Sequence, residues 1–191
     1  AIEIAYASGA SLLLRADLLK LFGLLDEDFI SYHEDLEYSL RLKSLDYKIT
    51  LVPAAKFFHE YSFSRNKEKF YLMERNRFAV LLMYYNGLSL ILILPAAIVM
   101  EIGLIFFALM SGWLREKFDA YHYWLDLAHI RLWLAKRKVV QNRRMVSDRK
   151  LLESATGVIK FEDAQFDNPI LKYIANPLME IYWWIIKFFI I

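Results

Sequence analysis

The feature that most constrains this chain is an apolar stretch from Leu88 to Met110. Its 23 residues include one acid, Glu101, and one proline, Pro95. About 20 apolar residues are enough for a helix to cross a bilayer. The chain is 58% hydrophobic, and the excess is concentrated in residues 78–114 and 177–191. The pattern therefore predicts membrane-associated helices that follow a more polar first part.

The charges around the apolar stretch bear on how it would meet a membrane. Basic residues lie on both sides, before residue 78 and from Arg115 onward. Because the positive-inside rule favours cytoplasmic positions for both flanks, a re-entrant hairpin or in-plane arrangement is favoured over a single span. Pro95 would form the turn between arms 78–94 and 96–113. A single span and a buried pair of soluble helices are the alternatives.

Residues 118–134 have the apolar spacing of one amphipathic helix. The run from Arg131 to Lys150 is opposed by one acid, Asp148, and suits an anionic lipid leaflet; a solvated helix face is the alternative. His122 and His129 are interpreted as surface residues. The aromatic residues expected in the headgroup layer are Tyr121, Tyr123, Trp124 and Trp133.

The last forty residues predict a polar connector and a further helix. Residues 151–170 form the connector, and Pro177 begins an apolar helix over residues 178–191. Fourteen residues are too few to span a bilayer. The adjacent Trp183 and Trp184 favour an interfacial position for this helix.

Composition excludes several classes of function. The formal net charge of +2 gives no reason to expect a nucleic-acid partner. The chain has no cysteine, which excludes disulfide frameworks and thiolate chemistry and fits a reducing compartment. It begins at Ala1 without a signal-peptide pattern and stops at Ile191 within an apolar run. We therefore expect it to be part of a longer protein.

The first 75 residues predict an α/β layer. Short apolar runs at 11–14, 49–52 and 55–58 have strand length, and they alternate with helical patterns at 15–21 and 35–45. Gly23 suits the left-handed position after the first of these helices. In the second helix the side chains expected to face solvent are Glu37, Arg41 and Lys43.

A candidate site is formed by Glu34 and Asp35 at the start of that helix and by His59 at the end of a predicted strand. The positive end of the helix dipole favours charged carboxylates, and an ionised carboxylate can act as a general base. Imidazole with carboxylates is also a plausible environment for Mn²⁺ or Mg²⁺. The alternatives are an ordinary first-turn acid and a structural histidine.

Together these stretches resemble the C-terminal half of a family 2 glycosyltransferase of the GT-A fold. The resemblance rests on the order and spacing of many pieces, and it covers residues 1 to about 85. The matching pieces are Ala7–Arg15, Gly23–Phe29, Tyr32–Arg41, Leu45–Ile49, Val52–Ala55, His59-Glu60-Tyr61-Ser62 and Tyr71–Arg77.

The resemblance implies roles for individual residues. Asp35 matches the catalytic base that deprotonates the acceptor hydroxyl for an inverting displacement, and Glu34 supports its position. His59 matches a histidine that in some members binds the divalent cation, Mn²⁺ or Mg²⁺, on the donor diphosphate.

Other matched residues are assigned to substrate binding. Gly9 and Ala10 match a tight loop beside the sugar and the acceptor, where a side chain would obstruct approach. Arg75 and Asn76 match a recurrent pair that closes the site.

The resemblance also implies a domain organisation. Asp26-Glu27-Asp28 matches a different acidic loop, so the donor-side Asp-x-Asp metal motif is expected upstream, and the fragment alone is expected to be inactive. The predicted fold class is the C-terminal half of an α/β, Rossmann-like GT-A domain followed by helical membrane-associated segments. The segments are 1–77 (acceptor-side half), 78–114 (membrane helix or hairpin), 115–150 (interfacial helices) and 151–191 (connector and interfacial helix).

The expected function is transfer of a sugar from a nucleotide-sugar donor to a lipid-linked saccharide or glycan acceptor at the cytoplasmic face of a membrane. A hydroxyl acceptor would need Asp35 as base, whereas an already ionised lipid phosphate would depend on it less. The alternative is a non-catalytic, membrane-anchored interaction module.

Overall fold

The computed structural model describes residues 1–60, 66–159, 169 and 171–191. It is mostly helical, with 66% helix and 2% strand. The elements in order are β1 (Ile2–Glu3), α1 (Ala16–Phe22), α2 (Glu34–Ser44), β2 (Thr50–Leu51), α3 (Lys67–Tyr84), α4 (Gly87–Ser111), α5 (Leu114–Leu125), α6 (Leu127–Arg143), α7 (Asp148–Leu151) and α8 (Asn176–Ile186). Short 3₁₀ turns occupy Gly9–Ser11 and Glu27–Phe29, and a π-helical turn, Leu171–Ala175, leads into α8.

Two predictions fall partly outside the described residues. These are residues 160–168 and 170 of the predicted connector, and Tyr61 and Ser62 of the matched His59-Glu60-Tyr61-Ser62 piece.

The α/β prediction, and with it the half GT-A domain, is wrong. The described strands form one antiparallel pair, with Ile2 opposite Leu51 and Glu3 opposite Thr50. The predicted strands at 11–14 and 55–58 are not formed. An extended segment needs neighbouring strands to satisfy its N–H and C=O groups, whereas a helix satisfies them internally. An apolar run of strand length therefore forms a strand only where the tertiary fold supplies a pairing edge.

The helices of this segment agree with the predictions. Gly23 ends α1 with a φ of 85°, and its N–H donates to the Leu19 carbonyl. Leu18 of α1 packs on Tyr38 and Leu42 of α2 in a small apolar cluster. Local signals of helix spacing and termination were therefore sufficient to locate both helices.

The charged face of α2 is not in solvent. Glu37 is 1% exposed and forms a bidentate ion pair with Arg41. The Tyr84 hydroxyl of α3 donates to Glu37 Oε1 at 2.5 Å. Lys43 is also buried. The solvent-facing prediction for Glu37, Arg41 and Lys43 is wrong. Glu37 and Arg41 pair with each other, and both also bind groups distant in sequence, Tyr84 for Glu37 and the carbonyls of Phe22 and Leu24 for Arg41.

The first of two compact units comprises Ala1–Tyr84 and Leu104–Val146. Within it α3 packs against α5 and α6. Trp133 of α6 is fully buried, with its ring 5.2 Å from Phe29 and 6.1 Å from Trp124. Trp133 therefore belongs to the protein core, and its assignment to a lipid headgroup layer is wrong.

The predicted single helix over 118–134 is two helices, because Asp126 breaks it. The backbone of Asp126 is extended, and its carboxylate accepts from the Ala128 N–H as the N-cap of α6. Asp126 competes for backbone hydrogen bonds in this way because of its short carboxylate side chain. The break separates α5 from α6, which then both pack on α3.

Polar side chains of α6 bind the last carbonyls of α3. Arg137 donates to the Leu82 carbonyl, Gln141 to the Met83 carbonyl at 2.8 Å, and Arg144 to the Tyr84 carbonyl at 3.1 Å. These carbonyls have no partner within their own helix, and they carry the negative end of its dipole. Part of the basic run thus caps a helix. Its exposed members on α6 are Arg131, Lys138 and Arg143.

The second unit comprises Tyr85–Gly103 and Ser147–Ile191. α4 belongs to both units and runs continuously through Pro95, so the hairpin with its turn at Pro95 is wrong. By length and composition α4 could cross a membrane, with a mean hydropathy of 2.6 over its most apolar window. At about 1.5 Å per residue its 25 residues reach roughly 37 Å. The side of the membrane on which either end would lie stays a prediction.

The burial of Trp133 predicts its effect on stability. We expect Trp133→Ala to lower the free energy of unfolding by about 3–5 kcal/mol, because it leaves a cavity between α6 and Phe29. Urea unfolding in detergent measures the loss. The control is Leu134→Ala, at the adjacent position with 45% exposure. Equal losses in the two variants would contradict the buried position.

Candidate functional site

Asp35 lies in the first turn of α2, against the loop that contains Gly9. Its Oδ2 accepts from the Gly9 N–H at 2.9 Å, and its Oδ1 accepts from the Leu36 N–H at 2.7 Å. The residue is partly exposed. The structure therefore brings two of the predicted site residues, Gly9 and Asp35, into direct contact and leaves the carboxylate open to solvent.

The Gly9–Ser11 turn is held on α2. The Ala7 N–H donates to Ser39 Oγ at 3.2 Å, and Ser8 Oγ accepts from the Ala10 N–H at 3.3 Å. A Cβ built on Gly9 would lie 3.7 Å from Asp35 Oδ2, which is an ordinary contact. The protein itself therefore leaves room for a side chain at Gly9. Substrate contact by Gly9 and Ala10 stays a prediction.

The loop before Asp35 has an unusual backbone. Ile30, Tyr32 and His33 all have positive φ, between 62° and 69°. This region is disfavoured for residues with a Cβ, most of all for a β-branched residue such as Ile30. Such a conformation persists only where surrounding contacts hold it, and it is concentrated at functional sites.

Arg75 and Asn76 of α3 hold this loop in place. Arg75 Nη2 donates to the carbonyls of Asp28 and Phe29, both at 2.9 Å. The Asn76 amide nitrogen lies within 2.9 Å of three loop carbonyls, which share its two hydrogens. The carbonyls that Asn76 binds belong to Phe29, Ser31 and Tyr32.

The two side chains also support each other. Arg75 Nε donates to Asn76 Oδ1 at 2.8 Å, and both residues are buried, with 4% and 0% exposure. The geometry makes them positioning residues for the loop that leads into Glu34 and Asp35. Direct contact of either one with substrate stays a prediction.

A buried charge network lies next to this pair. Lys117 of α5 is fully buried and pairs with Glu74 of α3, which also accepts from Arg77 at 3.0 Å. Trp124 of α5 donates to the Arg75 carbonyl at 3.1 Å. Breaking a buried ion pair by removing one partner is costly, since it leaves a desolvated charge. The network therefore fixes α5 against the part of α3 that holds the loop.

His33 is the last residue of the strained loop and directly precedes the first turn of α2. Burial lowers its pKa, and the positive charge of Arg77 lowers it further, against the opposing effects of Asp35 and Glu74. Among the described residues, His33 Nδ1 and Glu34 Oε2 are buried without a hydrogen-bond partner. Both atoms belong to residues that directly precede Asp35 in the chain.

The acidic loop ahead of the strained segment is neutralised by α6. Lys136 Nζ lies 2.5 Å from a carboxylate oxygen of Asp26 and 2.5 Å from one of Asp28. Burial opposes the charged form of Lys136, but the hydrogen bonds and charges of the two aspartates outweigh it and raise its pKa. This contact secures the beginning of the loop that Arg75 and Asn76 hold further along.

His59 lies in an exposed segment without regular structure, with its ring 6.3 Å from that of Phe57. No group of three or more His, Cys, Asp or Glu side chains suited to a metal ion occurs within the described parts of the chain. These residues therefore do not by themselves form a divalent-cation site around His59. Metal binding by His59 stays a prediction.

No family model, curated protein or solved structure matches the chain. The resemblance to family 2 glycosyltransferases therefore stays a prediction that rests on the motifs.

Several residues that shape the site are not visible in the sequence pattern. Lys117 and Glu74 are 43 positions apart, and Lys136 and Asp26 are 110 apart. A single sequence carries no signal for such pairs. His33 directly precedes the predicted carboxylates Glu34 and Asp35. This adjacency was a local signal that could have identified His33 as a residue of the site.

The Asn76 contacts generate a prediction about the loop. We expect Asn76→Ala to lower the free energy of unfolding by about 1–3 kcal/mol, because loop carbonyls lose their buried donor. Amide hydrogen exchange should become faster across residues 28–36. Asn142→Ala, at an exposed position on α6, is the matched control. Unchanged exchange in the loop would show that Asn76 does not position it.

The lowered pKa of His33 predicts a pH dependence of stability. The unfolded chain binds a proton more readily than the fold, so this contribution is present above the unfolded pKa of about 6.5 and is lost as the pH falls below it. We expect His33→Asn to reduce the loss of unfolding free energy between about pH 7.5 and pH 5. Asparagine tolerates the left-handed backbone.

The control for this measurement is His122→Asn, at an exposed histidine on α5. If the free energy of unfolding falls equally with pH in wild type and in His33→Asn, His33 is not a source of the acid sensitivity.

Proposed function

We propose that this chain carries the acceptor-side part of the active site of a membrane-associated inverting glycosyltransferase, with Asp35 as general base. The donor is a nucleotide sugar, and the acceptor is a lipid-linked saccharide or a glycan. The observation that carries the proposal is the partly exposed Asp35 carboxylate, which follows directly after a strained loop held by buried side chains.

The surroundings of Asp35 support a role as base. The N–H groups of Gly9 and Leu36 bind the two oxygens of its carboxylate in the first turn of α2. These hydrogen bonds also fix the orientation of the carboxylate before substrate binds, which lowers the entropic cost of reaching the transition state. A fixed, solvent-accessible carboxylate is suited to remove a proton from a bound hydroxyl.

In the proposed step the acceptor hydroxyl oxygen forms a bond to the anomeric carbon of the donor sugar. The bond from that carbon to the diphosphate oxygen breaks, and the nucleoside diphosphate leaves with the electron pair. The hydroxyl proton passes to Asp35. Attack opposite to the leaving group inverts the configuration at the anomeric carbon.

The membrane location is supported by α4. None of its most apolar window is buried within the protein, and its length is sufficient to cross a bilayer. Basic residues lie on both sides of the apolar segment, and both flanks belong to the first unit, in which α3 packs against α5 and α6. We therefore assign both flanks, and with them the catalytic part, to the cytoplasmic side, with α4 in the plane of the membrane. An acceptor presented at the membrane follows most simply from this arrangement.

Substitution of Asp35 tests the proposal. We expect Asp35→Asn to reduce sugar transfer by about 10²–10⁴, because the amide retains the shape but cannot accept the proton. The protein is expressed from its full reading frame. Release of nucleoside diphosphate and transfer of labelled sugar are then measured in membranes that contain it, with Mg²⁺ or Mn²⁺ present. Asp17→Asn, at an exposed acid of α1, is the control and should retain activity.

The other outcomes distinguish the alternatives. Transfer that survives Asp35→Asn at equal protein level would indicate an ionised lipid-phosphate acceptor or a different base. Absence of transfer from every nucleotide sugar, in wild type as in the variant, would favour the non-catalytic, membrane-anchored interaction module.

A further inference from the structure

α8 has an apolar stripe that the protein leaves uncovered. The exposed positions recur every three or four residues, so they share one side of the helix and of the turn that follows it. Each is between 48% and 63% exposed. The members of this stripe, called the α8 stripe below, are Leu178, Ile181, Trp184, Ile185 and Phe188.

The polar side chains of α8 are satisfied within the second unit. Glu180 Oε2 accepts from Thr156 Oγ1 at 3.0 Å and from the Gly157 N–H at 2.9 Å. The Asn176 amide exchanges two hydrogen bonds of 2.9 Å with the main chain of Ile159. Segment 156–159 therefore forms hydrogen bonds with polar groups of α8 and leaves the α8 stripe in solvent.

This covering segment is closely fitted to the helix. A Cβ built on Gly157 would lie 2.4 Å from the Met179 carbonyl oxygen, which is closer than a side chain can approach. A glycine at this position allows the main chain of the segment to reach Glu180. One side of α8 thus binds this segment, and the α8 stripe stays uncovered.

α8 is also joined to α4. The Tyr182 hydroxyl donates to the Leu92 carbonyl at 2.7 Å. Leu92 lies in the turn of α4 before Pro95. The α8 stripe therefore belongs to the same unit as a helix able to enter a membrane.

Two exposed lysines bracket the α8 stripe. Lys172 precedes it and Lys187 lies near its end, fifteen positions further along the chain. Their ammonium groups lie 5.4 Å and 5.8 Å from the ring centres of Tyr173 and Phe188. Lysines at both ends of an apolar stripe can reach phosphate groups while the stripe enters the acyl region.

We propose that α8 lies in the plane of a membrane leaflet, with the α8 stripe among the acyl chains and with Lys172 and Lys187 at the phosphates of anionic lipids. The 11 residues of α8 reach about 17 Å, too short to span. A protein interface usually supplies one hydrogen bond per 100–200 Å². The α8 stripe offers no such group apart from the Trp184 indole N–H, so lipid is the better occupant.

The absence of cysteine from these 191 residues allows a direct test in this chain. Single cysteines replace Ile181 or Ile185, both exposed, and Glu153 in the same unit serves as the control position. Each carries a nitroxide label in vesicles of phosphatidylcholine and phosphatidylglycerol. We expect greater accessibility to oxygen than to a water-soluble nickel chelate at positions 181 and 185, and the reverse at 153.

Labels at 181 and 185 that remain as accessible to the chelate as the label at 153 would overturn the proposal, because the α8 stripe would then lie in water. The readout does not involve sugar transfer. Failure of this proposal is therefore distinguishable from failure of the proposed function.

The lysines are tested by the double variant Lys172→Glu and Lys187→Glu, with the label at position 185. In vesicles that contain phosphatidylglycerol we expect the label to shift toward the chelate-accessible phase, because the reversed charges repel anionic lipid. In phosphatidylcholine alone we expect a smaller shift. Lys138→Glu, at an exposed site on α6, is the matched control. Equal shifts in both lipids would remove the anionic-lipid part of the proposal.

Discussion

The hydrogen bonds from Arg75 and Asn76 to the loop main chain are the interaction on which the candidate site depends. They hold a segment in which Ile30, Tyr32 and His33 occupy a disfavoured region of backbone space. Without these donors the buried carbonyls would be unsatisfied, and the backbone strain would have no compensation. The conformation of the loop decides where α2 begins and therefore where the Asp35 carboxylate stands.

The support for this interaction extends through the first unit in layers. α5 contributes Trp124 and the buried Lys117, which fix the part of α3 that carries Arg75 and Asn76. α6 contributes Lys136 at the acidic loop and basic side chains at the end of α3. Basic residues that the sequence pattern assigned to a membrane surface, such as Lys136 and Arg144, thus form contacts within the first unit. The basic residues that support the candidate site, such as Lys117 and Lys136, therefore differ from the basic residues proposed to bind lipid, Lys172 and Lys187.

Local sequence signals located several helices but not their surroundings. The termination of α1 at Gly23, the start of α2 and the apolar run of α4 were all predictable because each depends on neighbouring residues. The α/β layer was not formed, because strand pairing requires partners that no local pattern specifies. The resemblance assigned Gly9 and Asp35 to one site, whereas their hydrogen bond and the buried ion pair of Lys117 followed only from packing.

The sequence by itself determined the apolar character of residues 88–110, the lack of thiol chemistry in these 191 residues and the adjacency of Glu34 and Asp35. These properties depend on composition and on residues within a few positions of one another. The tertiary structure alone decided that Trp133 is core, that Glu37 and Lys117 are buried and paired, and that Asn76 holds the loop. Such outcomes depend on groups tens of residues apart, which meet only after the helices pack.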